Sequence, residues 1–337
     1  MRALQVKEPY GLDALEVVEA PDPVPGPGEV LVRMRAVSLN YRDLLMVQGV
    51  YSRAPKIDAI TPFSDGCGVV EAVGPGVSRV KPGDRVATLF FQRWISGPPN
   101  LDKLSSSLGS PIPGAGRELA VFSADGVSKV PDFLTDQQVA TLPCAALTAW
   151  RCLFEDADLR PGDTVALLGT GGVSIFGLQF AHAAGLRTLI TSSSDGKLAR
   201  AKALGADHLV NYRQTPEWSK PVREVTGGVG ADLIIEVGGG GTIEQSLKAI
   251  RIGGHIAIVG VVGGFGGGFN PAVLIGNSAR LQGLSVGSRD MFEAMCRLME
   301  LHRIAPVVDK LFPWTEAKAA FAAMQAGEHF GKIVLEF

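Results

Sequence analysis

The stretch Thr164-Val-Ala-Leu-Leu-Gly-Thr-Gly-Gly-Val-Ser174 is where residue type and spacing most directly imply chemistry. An apolar run stops at Gly169, and Gly169, Gly171 and Gly172 stand within four residues. Val173 to Ala184 then reads as a helix closed by Gly185. Glycines let a backbone approach a ligand closely, and the N–H groups and dipole at a helix N-terminus favour an anion. Strand, glycine turn and helix together suit the diphosphate of a dinucleotide. The sixth position of the pattern is Ser174, where a glycine allows the closest packing of helix on strand. Either the helix stands slightly away from the strand, or the Ser174 hydroxyl joins the diphosphate contacts.

The next predicted strand ends in Ser192, Ser193 and Ser194, followed by Asp195, Gly196 and Lys197. In NAD sites an acidic residue roughly 20 positions past the first glycine holds the adenine ribose hydroxyls. Here no acid stands at the strand tip. Small hydroxyls and the Lys197 cation suit a 2′-phosphate, and Arg213, beside Tyr212 after the third strand, adds a second cation. NADP(H) is therefore expected over NAD(H). Asp195 keeps NAD open, as does the plainer arrangement in which Ser194 or Asp195 caps a helix and Lys197 is solvated.

These residues need a scaffold, and the chain supplies its pattern. The 337 residues suffice for two domains. At 46% apolar, 20% charged and net charge −2, the composition is that of a soluble globular protein. It argues against a nucleic-acid partner, and no run reaches the roughly 18 apolar residues of a membrane span. Cys67, Cys144, Cys152 and Cys296 stand far apart, as expected of reduced thiols in a cytoplasm. Residues 1 to about 130 read as β-rich, with Glu29–Val37 alternating as a strand should. Trp94–Arg117, rich in Ser, Pro and Gly, reads as a long surface loop. From about 135 strands and helices alternate, which implies βαβ units, a doubly wound parallel sheet and an α/β fold. Val237 and Gly238 end the fourth strand of that series, and Val259, Gly260 and Val261 end the fifth. The crevice at such carboxyl ends is where a dinucleotide lies.

By this point the chain resembles the medium-chain dehydrogenase/reductase superfamily, that of zinc alcohol dehydrogenases and quinone oxidoreductases, over its full length. The resemblance rests on Pro25-Gly-Pro-Gly-Glu-Val-Leu-Val-Arg33, Ala36-Val-Ser-Leu-Asn-Tyr-Arg-Asp-Leu44, Asp65-Gly-Cys-Gly-Val-Val-Glu-Ala-Val-Gly74 and Val80-Lys-Pro-Gly-Asp-Arg-Val86. Leu142-Pro-Cys-Ala-Ala-Leu-Thr-Ala149, Gly169-Thr-Gly-Gly-Val173, Ala203-Leu-Gly-Ala-Asp207 and Gly331-Lys-Ile-Val334 complete the set in the family's order. It implies a GroES-like catalytic domain over 1–131 and an inserted Rossmann domain over 132–270. Residues 271–337 then carry the last Rossmann strand and the return to the catalytic domain. It also implies a homodimer paired through the edge of the cofactor-domain sheet, with Leu281–Val286 as the edge strand.

Departures from the family pattern decide the chemistry. Zinc alcohol dehydrogenases carry a Cys-His pair where this chain has Asn40-Tyr41, and their His-Glu pair aligns with Ser64-Asp65. Cys144 alone keeps a ligand type, none of the five histidines falls at a ligand position, and catalytic zinc needs three protein ligands. No zinc is expected, and Cys144 reads as a small buried apolar residue. Without a Lewis acid for an alkoxide, the accessible substrates are small quinones and α,β-unsaturated carbonyls, whose reduced anion is delocalised. The resemblance places Asn40 and Tyr41 in the nicotinamide pocket, Asn40 donating to the acceptor oxygen and Tyr41 donating a proton or stacking. Alternatively, Asn40 caps a short helix and Tyr41 packs. Asp43 reads as a partner for an arginine. By resemblance Thr148 contacts the nicotinamide and Lys332 lies on the pocket rim. Phe90, Phe91 and Trp94 line a pocket or form core, and loops 47–62 and 90–117 shape the substrate site. The alternatives are a zinc-type alcohol or aldehyde dehydrogenase and a non-catalytic NADPH-binding protein.

Overall fold

The structure, a computed structural model, describes residues 1–51 and 59–337. Residues 52–58 of the loop expected to shape the substrate site lie outside the described residues. Along the chain run β1 (Arg2–Val6), β2 (Leu15–Glu19), β3 (Glu29–Ser38), β4 (Asp65–Val73), β5 (Arg85–Thr88), β6 (Leu119–Ser123) and β7 (Val127–Lys129). Then come β8 (Thr164–Leu167), β9 (Arg187–Ser192), β10 (His208–Asn211), β11 (Ala231–Glu236), β12 (Ile250–Ile258) and β13 (Arg280–Gly283). The last strands are β14 (Val308–Pro313) and β15 (Lys332–Glu336). Two compact units result: Met1–Leu147 with Gly287–Phe337, and Thr148–Val286. The resemblance set its divisions at 131 and 270, with the last Rossmann strand already placed after 270. Cys144 is tied back to β4, its N–H donating to Asp65 at 3.0 Å, and β13 still pairs with β12 in the second unit.

The first unit is the GroES-like one. Its main sheet runs β14-β15-β3-β4-β5-β7, with β6 also on β3. β3 carries the arrangement: Val30, Val32, Met34 and Ala36 point inward while Arg33 and Arg35 face water, the period of two that a half-buried strand requires. β6 pairs with its first half and β15 with its last residues. Phe63 and Phe321 stack in this core with ring centroids 5.6 Å apart. The predicted surface loop Trp94–Arg117 is a surface loop only in part. Ser106–Ser110 is buried, and Leu108 and Ala115 have no exposure. Several of its polar groups are answered inside, by a bridge from Ser107 to Phe91 and a bond from the Ser107 hydroxyl to the Ser110 carbonyl, which helps a polar-looking stretch enter a core. Phe90, Phe91 and Trp94 are buried and touch one another ring to ring, so they are core.

The second unit is the Rossmann-like one. Its six strands are all parallel, in the order β10-β9-β8-β11-β12-β13. The order reverses between β8 and β11, which is the switch point where open α/β sheets bind ligands outside the strand carboxyl ends. β8 is buried at every residue, as its uninterrupted Thr-Val-Ala-Leu run predicts for a central parallel strand.

Candidate active site

In the Rossmann-like unit, β8 runs into the glycine turn and then the helix Gly172–Ala183. Gly169 has a φ of +74°, which glycine adopts without penalty. The Gly169 N–H donates to Thr191 Oγ1 at 3.1 Å, fixing the turn to the end of β9. A Cβ placed on Gly169 or Gly171 would meet nothing within 4 Å, so open space lies over the turn in front of the helix N-terminus. That cradle fits a diphosphate.

Ser174 is turned the other way. Its hydroxyl is buried and donates to the Leu168 carbonyl at 2.6 Å, so it ties helix to strand, and the hydroxyl contact to a diphosphate that the sequence suggested is not its role. The close packing that a third glycine allows occurs one turn on, at Gly177. A Cβ there would stand 3.0 Å from Leu167 and 3.3 Å from Ile235.

At the tip of β9, Ser192 is buried and Ser193 half-buried. The Ser194 hydroxyl accepts from the Lys197 N–H at 3.4 Å, so Ser194 does cap the helix Asp195–Ala203. Asp195 accepts from Asn211 Nδ2 at 2.7 Å and Gln214 Nε2 at 3.1 Å, which engages both of its oxygens. Tyr212 and Arg213 follow β10 and are exposed. Val237 and Gly238 meet Val259–Val261 at the ends of β11 and β12, where the Val262 and Gly263 N–H groups donate to the Val237 and Gly238 carbonyls at 3.0 and 2.8 Å. Gly169, Gly171–Ser174, Ser192–Ser194, Val237, Gly238 and Val259–Val261 thus all stand at the carboxyl ends of parallel strands. The residues present fit a dinucleotide.

One organiser of this region escaped the sequence reading. Glu236, wholly buried, accepts from the Gly238 and Gly239 N–H groups at 2.7 and 3.1 Å and from the hydroxyls of Thr242 and Ser246. A carboxylate closing an otherwise apolar strand, just before Val-Gly-Gly-Gly-Gly, was its signal.

In the GroES-like unit, β3 passes into the buried residues Leu39 and Asn40 and then the helix Tyr41–Val47. Asn40 stands at the helix N-cap, and Asp43 closes the cap by accepting from the Asn40 N–H at 2.8 Å. Tyr41 does not pack inside but is 37% exposed. Asp43 has the arginine partner expected of it, with Arg42 Nη1 at 3.7 Å. Lys332 corrects an expectation. It is only 3% exposed rather than on a rim, and its ammonium donates to the Leu39 carbonyl and to Asn40 Oδ1, the latter at 2.7 Å. Asp65, also buried, accepts from Ser64 Oγ at 2.6 Å and from the Cys144 N–H at 3.0 Å. Thr148, 5% exposed, lies in the one ordinary helical turn, Leu147–Trp150, between two widened π-type turns.

Burial governs the charges here. It raises Asp43 to about 6, against the pull of Arg42. Burial likewise raises Asp65, opposed chiefly by the Lys332 ammonium. Burial lowers Lys332, while Asp65, Cys144 and Asp43 hold its charge. Burial and the Asp65 carboxylate push the Cys144 thiol up. Of the three family positions, two hold an amide and a hydroxyl, which are not zinc ligand types. Among the described residues no three His, Cys, Asp or Glu side chains converge to hold a metal ion.

Comparison with known proteins agrees with this architecture. Residues 26–132 match the family model of the alcohol dehydrogenase GroES-like domain, and residues 172–300 that of the zinc-binding dehydrogenases. A zinc-type alcohol dehydrogenase-like protein of Schizosaccharomyces pombe is 42% identical over 334 residues, 97% of this chain and 96% of its own. The crystal structure of an NAD-dependent alcohol dehydrogenase superposes with a TM-score of 0.90 at 34% identity, over 100% of both chains. Two mycobacterial structures align over 100% of both chains at 28% identity, one complexed with NADPH (TM-score 0.85) and one a quinone oxidoreductase (TM-score 0.82).

Proposed function

The chain belongs to the medium-chain dehydrogenase/reductase superfamily and is an NAD(P)-dependent oxidoreductase; from that premise we propose that it is an NADPH-dependent, zinc-independent reductase of quinones or α,β-unsaturated carbonyls. The observation that carries this reading is Asn40. It is a buried amide whose Nδ2 completes no direct hydrogen bond among the described residues, on the side of the Asp65 carboxylate and at the position where the zinc enzymes carry a metal ligand.

NADPH held at this site would supply the hydride that the electron-poor carbon of the acceptor takes up. Negative charge then gathers on the acceptor oxygen, where the Asn40 N–H groups stabilise it without reorganising. Tyr41 Oη gives the proton that completes the two-electron reduction and recovers one from water. Thr148 orients the nicotinamide. Gly169, Gly171, Gly172, Val173 and the Ser174 backbone hold the diphosphate. Ser192, Ser193, Lys197 and Arg213 hold the 2′-phosphate, Asp195 being engaged by Asn211 and Gln214. The likeness to an NAD-dependent alcohol dehydrogenase supports the alternative of an alcohol substrate with NAD.

A second copy of the chain is the proposed partner. The outer edge of β13 carries no further strand among the described residues, and Val262, Phe265, Val273 and Ile275, in the segment between β12 and β13, are 57%, 75%, 37% and 80% exposed. No helix is long and apolar enough to cross a membrane among the described residues. The free thiols Cys67, Cys144, Cys152 and Cys296 support a cytoplasmic setting.

The test is cofactor oxidation by the purified protein with a panel of quinones and enones, in the presence of a zinc chelator. Turnover with NADPH that the chelator leaves unchanged is the expected outcome. Lys197→Ala and Arg213→Ala should each weaken NADPH about tenfold or more and leave NADH unchanged. Tight NADPH binding with no turnover of any acceptor overturns the enzymatic reading, and chelator-sensitive alcohol oxidation replaces it with the zinc enzyme.

A further inference from the structure

Lys332 is a charged side chain that the reductase reading leaves without a task, and it is among the most deeply buried polar residues of the GroES-like unit. Its place follows from strand register. β15 pairs antiparallel with β3 as Val334 with Ser38, Leu335 with Val37 and Glu336 with Ala36. Continuing that register two steps toward the start of β15 sets Lys332 opposite Asn40, and the Leu39 N–H donating to the Ile333 carbonyl at 3.0 Å extends the pairing over the first of those steps. The ammonium lies between the Leu39 carbonyl and Asn40 Oδ1. An ammonium has three donors and no acceptor, so the amide atom facing it must be the oxygen. The two Asn40 N–H groups are thereby turned to the other side of the amide, the side of the buried Asp65 carboxylate, whose pKa they lower, though Nδ2 completes no direct hydrogen bond there. Reversing the amide would set N–H groups against N–H groups, leave Lys332 only the Leu39 carbonyl and turn Oδ1 toward the Asp65 carboxylate, a costly arrangement in a buried place.

We infer that Lys332 is a positioning residue for the reduction: by holding Asn40 Oδ1 it fixes the amide with its donors presented to the acceptor oxygen. This rests on the proposed reductase reading only for its effect on rate; the link between Lys332 and Asn40 stands on the geometry alone. Lys332 touches neither acceptor nor cofactor in this role. Its loss should therefore lower kcat and leave both the acceptor KM and the NADPH dissociation constant nearly unchanged. A misdirected donor lowers the rate by about a hundredfold.

The experiment has two readouts on the NADPH-bound protein. The first needs no turnover. The chain has five asparagines, so selective ¹⁵N-asparagine labelling gives five side-chain amide pairs, and Asn40→Asp identifies the pair of Asn40 by its loss. In Lys332→Met that pair should shift and broaden while the other four stay in place. Lys332→Arg, which keeps a cation, should restore part of the wild-type position and carries the test if Lys332→Met does not fold. The second readout is kinetic. Asn40→Ala and Lys332→Met should be non-additive, the double variant being no slower than Asn40→Ala alone. An Asn40 pair unmoved by both Lys332 substitutions overturns the inference, as do losses that multiply in the double variant or a weakened NADPH affinity. A wild-type protein that turns over no quinone or enone, but whose Asn40 pair responds to Lys332, overturns the reductase reading and supports the Lys332–Asn40 link.

Discussion

Asp43 shows how a single buried group writes itself into solution behaviour. Burial lifts its folded-state pKa from 3.8 to about 6. The native state then holds a proton that the unfolded chain releases, so stability is highest below about pH 4 and falls as the pH rises toward 6. The span corresponds to about 3 kcal/mol at 1.36 kcal/mol per unit. Asp43→Asn keeps an oxygen for the Asn40 N–H and removes the titration. Urea unfolding between pH 4 and 6.5 should show wild type losing stability relative to this variant across that window; parallel curves refute the assignment. The roles of Asn40 and Tyr41 were legible only through the family pattern, since neither residue type announces chemistry. The neighbour that orients Asn40 was not legible at all. Lys332 is 292 positions away, and only strand register joins the two.

At the scale of elements, the parallel sheet was readable because its strands are short, have apolar centres and alternate with helices, a rhythm with few alternative folds. The glycine turn was readable for the same reason. What sequence pattern misassigned was the inside of the turn. A missing sixth glycine suggested either a displaced helix or a hydroxyl for the cofactor. The helix instead makes its close approach at Gly177, while Ser174 bonds inward. Glu236 plays the corresponding part at the end of β11, where four donors converge on one carboxylate. Glu236→Gln puts an amide group against donors and should destabilise the Rossmann-like unit by roughly 2–3 kcal/mol. It should also weaken NADPH binding, because Val237 and Gly238 lose their anchor. Isothermal titration with NADPH, beside urea unfolding, checks both; unchanged affinity separates this loop from the cofactor.

At the scale of the whole molecule, the proposed dimer is tested by light scattering on the eluting protein. The wild type should elute with twice the chain mass, and Phe265→Glu with Ile275→Glu should give a monomer that still binds NADPH. A monomeric wild type removes the proposal. The way the chain divides has another consequence, one of time. The Rossmann-like unit is a single continuous segment, whereas the GroES-like unit is assembled from the first 147 residues and those after 286. During synthesis, the middle segment is complete while β3 still waits for β15. Until Lys332–Glu336 has left the ribosome, the end of β3 is paired on one edge only, with β4, and Asn40 lacks its cation. Nascent chains halted between 287 and 331 should therefore already hold NADPH and yet turn over no acceptor, so the molecule acquires its cofactor before it acquires its chemistry.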